Sequence, residues 1–420
     1  MEKKVKVFFY FFIAAIPLGY RVLAYKFIPG FQEYEAAFFC LSDVFLVAFL
    51  FFAVLLLKKS FFYNKVSWLA ILFLTSVVMA IIFAPLKLLA VYRFFRLALY
   101  VFLAIVAGIL LKEKIIKREK VFAIFGGMAV LESVLAFWQF KLQSHIGLRF
   151  LGEQKIGVGI VGISKMSVAG VDLVRPYGTF LHPNILGAFL VLGFFAIAYF
   201  FVKKEKINIP LLAFLYAVSL GVVLTFSRAA WMGWIAALLF FSLTIIKEKN
   251  NIKRSVVIAS LWFTMMAAFI PVFPLAGSRA KITLNQESVI ERMSYTKQAV
   301  EIIKENFLGI GMGNYVPYSF YSGVYKKAGM KNFWEWQPAH NIYLLAAVET
   351  GVIGLVLFLA LSLKGVLKKR KEDNFEKKYL EAGIIKSVLL GFLIMGMFDH
   401  FFWTMETGEM MWWIVVGLSF

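Results

Sequence analysis

His340 stands in Gln337-Pro338-Ala339-His340-Asn341-Ile342-Tyr343, where a long polar segment runs into an apolar one. An imidazole with an unperturbed pKa of about 6.5 takes a proton near neutrality, so the position suits a general base; the plainer reading is an interfacial histidine making one structural hydrogen bond. It also precedes a helix start, where unsatisfied N–H groups favour an anion. Asn341 beside it reads most simply as the N-cap. Two arginines offer complementary chemistry. Arg228, in Thr225-Phe226-Ser227-Arg228-Ala229, occupies a short turn between apolar runs. Its guanidinium there either forks onto phosphate oxygens or snorkels to lipid headgroups. Arg292 lies about 60° from the centre of an apolar stripe, at its border, where it either points inward or lays its stem on apolar surface. That stripe is Val289, Met293, Val300, Ile303 and Phe307, with Glu291, Glu301 and Glu305 turned away from it.

Other groups point less directly to chemistry. Arg93, Arg96, Glu349 and Lys386 fall inside or near the ends of apolar runs, where charge is costly and is paired or functional. Glu349, two turns below His340, reads as a buried partner for an arginine rather than a catalyst. Gly309-Ile310-Gly311-Met312-Gly313-Asn314 has the look of a dinucleotide loop but follows a helix rather than a strand, so that reading is rejected. His145, His182, His340 and His400 lack metal-ligand spacing and have no cysteine partners; neither a metal nor a cofactor is expected. Cys40 is the only cysteine, so no intrachain disulfide forms.

The elements that must position these residues are membrane spans. A chain of 420 residues that is 61% hydrophobic, with a mean hydropathy of +0.81, has too little charge to cover a soluble globule. Its net charge of +21 comes in short basic clusters between apolar runs, which is an orientation signal and not a nucleic-acid surface. The expected fold is an all-α polytopic membrane protein, one integral domain over 1–420, with about 12 transmembrane helices. They are placed at 7–24, 36–57, 66–83, 88–111, 121–140, 185–202, 209–226, 230–246, 255–274, 341–363, 380–398 and 408–420. Lys3, Lys4 and Lys6 imitate a signal peptide, but no small-x-small site follows, so the first run is expected to stay as a span. The last span is short, and Trp412 and Trp413 would anchor it at an interface.

Alternate connections carry the denser Lys and Arg clusters: Lys3 to Lys6, Lys58 to Lys65, Lys112 to Lys120, Lys203 to Lys206, Lys247 to Arg254 and Lys364 to Lys378. This places both termini in the cytoplasm and two long segments, 141–184 and 275–340, outside. The first carries Gly, Val and Ile in alternation over 155–168, read as a small hairpin; the second contains the amphipathic helix 287–307, read as a lid or scaffold over the membrane face. Arg175, His182, Arg228, Arg292, His340, Asp399 and His400 then share the outer face. Arginines gathered with a base suit a lipid-linked pyrophosphate donor, whose leaving group gains negative charge.

The ordered set of motifs carries a resemblance. Arg175-Pro176-Tyr177-Gly178-Thr179-Phe180-Leu181-His182-Pro183-Asn184, Ser227-Arg228-Ala229, Glu291-Arg292-Met293, the run from Gly309 to Tyr315, Ala339 to Tyr343 with Glu349 and Gly351, and Asp399-His400 are similar to those of the O-antigen ligase and O-antigen polymerase superfamily. These are bacterial membrane glycosyltransferases, and the likeness runs from about Arg175 onward. The resemblance implies metal-independent, inverting transfer of a glycan from undecaprenyl pyrophosphate to an acceptor hydroxyl on a glycan, lipid or protein, at the outer face of the plasma membrane. By matching position, Arg228 and Arg292 would hold the pyrophosphate and His340 would assist acceptor attack. Arg175, His182, Asn184, Asn341, Asp399 and His400 are the expected substrate contacts. Ligase and polymerase differ only in acceptor and stay unseparated. The rivals are a flippase or transporter of lipid-linked glycans, and a polymerase of the cell-shape and division type.

Overall fold

The computed structural model describes residues 1–28, 33–57, 68–168, 170–204, 207–246, 252–281, 287–367 and 375–420. The basic residues Lys58, Lys59, Lys65, Lys206, Lys247, Lys249, Lys368, Lys369, Arg370 and Lys371 lie outside them. The chain is mostly helical, and a helix occupies each of the twelve apolar runs. Among the described residues, seven helices are long and apolar enough to cross a membrane: Lys87–Lys112, Arg118–Leu142, Pro183–Lys203, Arg228–Ile246, Arg254–Ala280, Ile342–Gly365 and Tyr379–Gly396. Leu41–Leu57, Trp68–Ile81 and Ile209–Leu224 are apolar but shorter.

The helix Pro183–Lys203 is apolar on every side and is therefore the one the others surround. Arg118–Leu142, Ile209–Leu224 and the helix Phe375–Gly396 pack on it. Small residues let these helices approach closely. At the crossing of Arg228–Ile246 with Phe375–Gly396, a Cβ built on Gly233 would lie 2.7 Å from the Gly391 carbonyl oxygen, so any larger residue pushes the pair apart. The last helix, Glu406–Ser419, packs along Lys87–Lys112. Trp412 and Trp413 are buried there against Phe358 instead of resting at an interface, because the aromatic cluster of Phe358, Phe402 and Trp403 encloses them.

Two short hairpins were not placed by hydropathy. Arg21–Lys26 pairs antiparallel with Ala36–Cys40, so the first helix stops at Ala15 and the ends of the first two apolar runs are strand. The second hairpin pairs Lys165–Val168 with Val171–Val174, displaced toward the C-terminus from the expected 155–168.

The helix Ile342–Leu367 is broken at Gly351, whose φ of +77° and ψ of 168° leave the helical region. A break inside an apolar span strands backbone groups that lipid cannot satisfy. Here the loop after Phe307 satisfies them. Ile310 N–H donates to the Val348 carbonyl at 3.0 Å, Gly311 N–H to the Glu349 carbonyl at 3.0 Å, and Val352 N–H to the Phe307 carbonyl at 3.2 Å. Gly309 sits at φ +87°, and a Cβ on it would collide with the Gly351 nitrogen. The glycine-rich run therefore serves backbone docking onto the broken helix, and it ties the preceding helix Glu287–Glu305 to the segment that carries His340.

Candidate active site

The site forms where four loops meet above the helix ends. Pro183 at the first helical position and the His182 ring, whose Nδ1 accepts the Asn184 N–H at 3.1 Å, start the central helix. Asn341 caps the His340 helix: its Oδ1 accepts the Tyr343 and Leu344 N–H groups at 2.9 and 3.1 Å, and its amide donates to the Met397 carbonyl at 3.2 Å. That last bond ties the start of the His340 helix to the loop holding Asp399 and His400.

A buried polar chain runs across this junction. Arg175 donates from Nε to the Thr225 carbonyl at 2.8 Å, from Nη1 to Ser164 Oγ at 2.8 Å and from Nη2 to Asn184 Oδ1 at 2.6 Å. The Asn184 amide donates in turn to Asp399 Oδ2, and the His400 N–H donates to Asp399 Oδ1 at 2.8 Å. Arg175 and Asn184, expected to touch substrate, direct these groups at protein partners and link the turn at Thr225 to Asp399.

His340 lies against this chain. Its ring meets the His400 ring edge-on at 4.8 Å between centroids and stacks on Tyr295 at 5.8 Å, while Tyr34 closes on His400 from the other side at 5.7 Å. His340 Nδ1 is buried without a hydrogen-bond partner among the described residues. Burial, then the neighbouring His400 and Arg292, pulls the His340 pKa well below the ordinary histidine value, so the ring rests neutral. His182 is drawn down to about 3 by burial and then Arg175. Burial alone would raise the Asp399 carboxyl, but His400, His340, His182 and Arg292 hold it below the usual carboxylate range.

The arginines assemble around the turn at Thr225-Phe226-Ser227-Arg228, where Phe226 takes the left-handed region at φ +49°. Arg279 Nε donates to the Phe226 carbonyl at 3.2 Å, next to the Thr225 carbonyl that Arg175 holds. Arg228, Arg279 and Arg292 act on one another as like charges, and burial, then Arg279, draws Arg175 down to about 9. Among the described residues neither Arg279 nor Arg292 has a carboxylate within salt-bridge range.

The helix Glu287–Glu305 delivers Arg292 differently from the sequence reading. Met293, Val300 and Phe307 of the apolar stripe are exposed, and the buried face carries Tyr295, Gln298, Ala299 and Ile302. That inner face is polar and aromatic because it meets polar groups: Tyr295 donates to the Glu335 carbonyl at 2.7 Å, and its own carbonyl accepts the Tyr315 hydroxyl at 3.1 Å. Arg292 borders both faces and reaches the site from the inner one.

Sequence reasoning missed Arg279, Tyr295, Tyr34 and Thr404. A charge at the end of the apolar run 255–274 could have flagged Arg279, and the four-residue spacing of His400 and Thr404 could have flagged the latter. Nothing in the sequence marks Tyr34, which the first hairpin brings in and whose hydroxyl donates to Gln337 Oε1 at 2.7 Å.

Beneath the histidines lies a second charged group. Arg93 donates to the Thr404 carbonyl at 3.1 Å and stands 3.8 and 4.0 Å from the carboxylates of Glu409 and Glu406; Arg96 pairs with Asp43 at 2.8 Å. Glu349 accepts the Trp403 indole N–H at 2.8 Å and the Tyr315 N–H at 3.2 Å, and it feels the charge of Arg93. It is a buried structural partner.

Residues 211–359 match the sequence family described as O-antigen ligase. The chain is similar to that family over roughly a third of its length, a stretch that includes Arg228, Arg279, Arg292, His340 and Glu349. No curated protein matches the chain.

Proposed function

With the O-antigen ligase match as premise, we propose that this membrane protein is a metal-independent, inverting glycosyltransferase. It moves an undecaprenyl-pyrophosphate-linked oligosaccharide or polysaccharide onto an acceptor hydroxyl at the outer face of the plasma membrane, with both termini cytoplasmic. The observation that carries the reading is the convergence of Arg228, Arg279 and Arg292 with His340, whose Nδ1 has no hydrogen-bond partner among the described residues. Arg279 and Arg292, which have no carboxylate within salt-bridge range among the described residues, offer their guanidinium groups to an anion, and a pyrophosphate leaving group supplies one whose charge grows in the transition state.

In this mechanism Arg228, Arg279 and Arg292 hold the pyrophosphate. The acceptor oxygen attacks C1 from the opposite face, the bond from C1 to the phosphate oxygen breaks with its electron pair going to pyrophosphate, and the acceptor proton passes to His340. One displacement gives inversion. Bound pyrophosphate also offsets the Arg292 field that keeps the His340 proton affinity low, so the base gains strength only when donor is in place. Asp399, held by Asn184 and the His400 N–H, stabilises the imidazolium. His182, His400 and Asn341 shape the acceptor side, and Arg175 braces it. The helix Glu287–Glu305 covers the reacting bond.

The test is transfer of a lipid-linked glycan by purified protein. His340→Ala, Arg228→Ala and Arg292→Ala each abolish transfer, by at least about 100-fold, while the protein stays folded and inserted. Normal transfer by His340→Ala sinks the assignment and favours the cell-shape type of polymerase. A ladder of lengths from a single lipid-linked repeat identifies a polymerase in place of a ligase. Donor turnover in detergent, with no compartments to move between, excludes a pure flippase.

A further inference from the structure

His400 and Thr404 stand one helical turn apart on the short helix Phe401–Thr404 and its cap. Thr404 Oγ1 lies 2.6 Å from His400 Nδ1 and 3.2 Å from the His400 carbonyl oxygen. Both contacts are used at once only when the ring N–H at Nδ1 donates to the hydroxyl oxygen and the hydroxyl donates to the carbonyl. The threonine is itself pinned by Arg93, which takes its carbonyl at 3.1 Å and is held by Glu406 and Glu409. The buried ion-pair cluster therefore ends on the residue that sets the His400 ring.

We propose that Thr404 is a positioning residue that fixes His400 as the Nδ1–H tautomer, leaving the lone pair on Nε2 free beside His340 so that the two rings share the acceptor proton. The acceptor O–H bond breaks as its oxygen bonds C1. His340 takes that proton, His400 Nε2 shares it across the pair, and it leaves to the departing pyrophosphate, which already carries the electron pair from C1. The two rings stand edge-on with 4.8 Å between centroids, and the ionised Asp399 beside them favours a proton on the pair. The groups facing the pair are Asp399 on its own loop, Tyr34 from the first hairpin, Arg292 and Tyr295 from the covering helix, and His182 at the start of the central helix.

The proposal rests on the glycosyltransferase reading, so its test has one arm without activity. The chain has four histidines, so nitrogen-15 histidine labelling of the whole protein gives few signals, and His400→Gln assigns the one it removes. An Nδ1–H signal for His400 that is lost in Thr404→Val and kept in Thr404→Ser is the expected result. An Nε2–H tautomer in the wild type, or a spectrum unchanged by Thr404→Val, overturns the proposal. In the activity arm, Thr404→Val lowers kcat about tenfold with the donor KM unchanged and displaces the pH profile, and Thr404→Ser restores both. A wild-type kcat and pH profile in Thr404→Val overturns the shared proton. A wild-type protein that transfers no glycan at all defeats the functional reading instead, and the tautomer is then decided by the spectrum.

Discussion

Arg93 and Arg96 face Asp43, Glu406, Glu409 and Glu349, while Arg228, Arg279 and Arg292 face one another. Both groups sit near the same end of the helix bundle, and one chain segment, Asp399 to Thr404, lies between them. The first group is buried and already neutralised, with Arg93 and Arg96 less than a tenth exposed. The second group is partly exposed and gathers positive charge around a strained turn. A charge that has its counter-ion inside the protein serves the fold; Arg279 and Arg292, with no carboxylate in salt-bridge range among the described residues, are stabilised by water or an incoming anion. Under the proposed function, the difference makes one arginine group structural and the other the donor-binding one.

The largest expected effect comes from breaking the neutralised group. Arg93→Ala leaves Glu406 and Glu409 buried beside each other and frees the Thr404 carbonyl, and removing one partner of a buried pair costs about 3–5 kcal/mol. Thermal unfolding in detergent should show a large fall in Tm and a poor folded yield; a wild-type Tm would erase the distinction between the two groups. Arg279→Gln should do the reverse. It keeps a donor for the Phe226 carbonyl and relieves like-charge repulsion, so stability changes by less than about 0.5 kcal/mol. The donor KM rises about tenfold, equivalent to about 1.4 kcal/mol of lost binding. A collapse in Tm with an unchanged donor KM would place Arg279 with the structural group.

The contrast was only half legible in the chain. Helix positions follow from hydropathy, because lipid admits little besides helices, and every expected apolar run carries one, of which seven among the described residues are long and apolar enough to cross a membrane. Charges in apolar runs marked Arg93 and Arg96 as residues that are paired or functional, and a short turn and a helix-face border singled out Arg228 and Arg292, but which arginines find carboxylates is decided by contacts across the chain, such as Arg93 with Glu409. The face of the helix Glu287–Glu305 was misread because hydrophobic periodicity finds apolar surface, and here the inner face is built from Tyr295 and Gln298. Tyr34 was invisible for the same reason: an irregular segment near the N-terminus meets His400 through a hairpin that hydropathy merges into the flanking spans.

A ligand sharpens the comparison without any mutation. Inorganic pyrophosphate at ten times its Kd should stabilise the wild type by about 1.4 kcal/mol through binding the folded state. Arg228→Ala with Arg292→Ala should remove that gain. If the double variant is stabilised as fully as the wild type, the anion binds elsewhere and the second arginine group loses its assigned role.

The smallest effect is one of acidity, and it belongs to the donor-binding side, since Arg175 and Arg292 act on His182. The folded-state pKa of His182, about 3, lies below its free value of about 6.5. The unfolded chain therefore binds the proton first, and stability is lost as pH falls below about 6.5, continuing until the folded value is reached. His182→Asn removes the titration but keeps an oxygen that accepts the Asn184 N–H at the start of the central helix. Between pH 7 and pH 6 the variant should lose about 0.7 kcal/mol less stability than the wild type. Repeating the comparison in an Arg292→Ala background should shrink that difference, because the arginine is one of the charges that keeps His182 neutral; an unchanged difference would mean that burial alone sets it and that the arginine field stops short of the histidines.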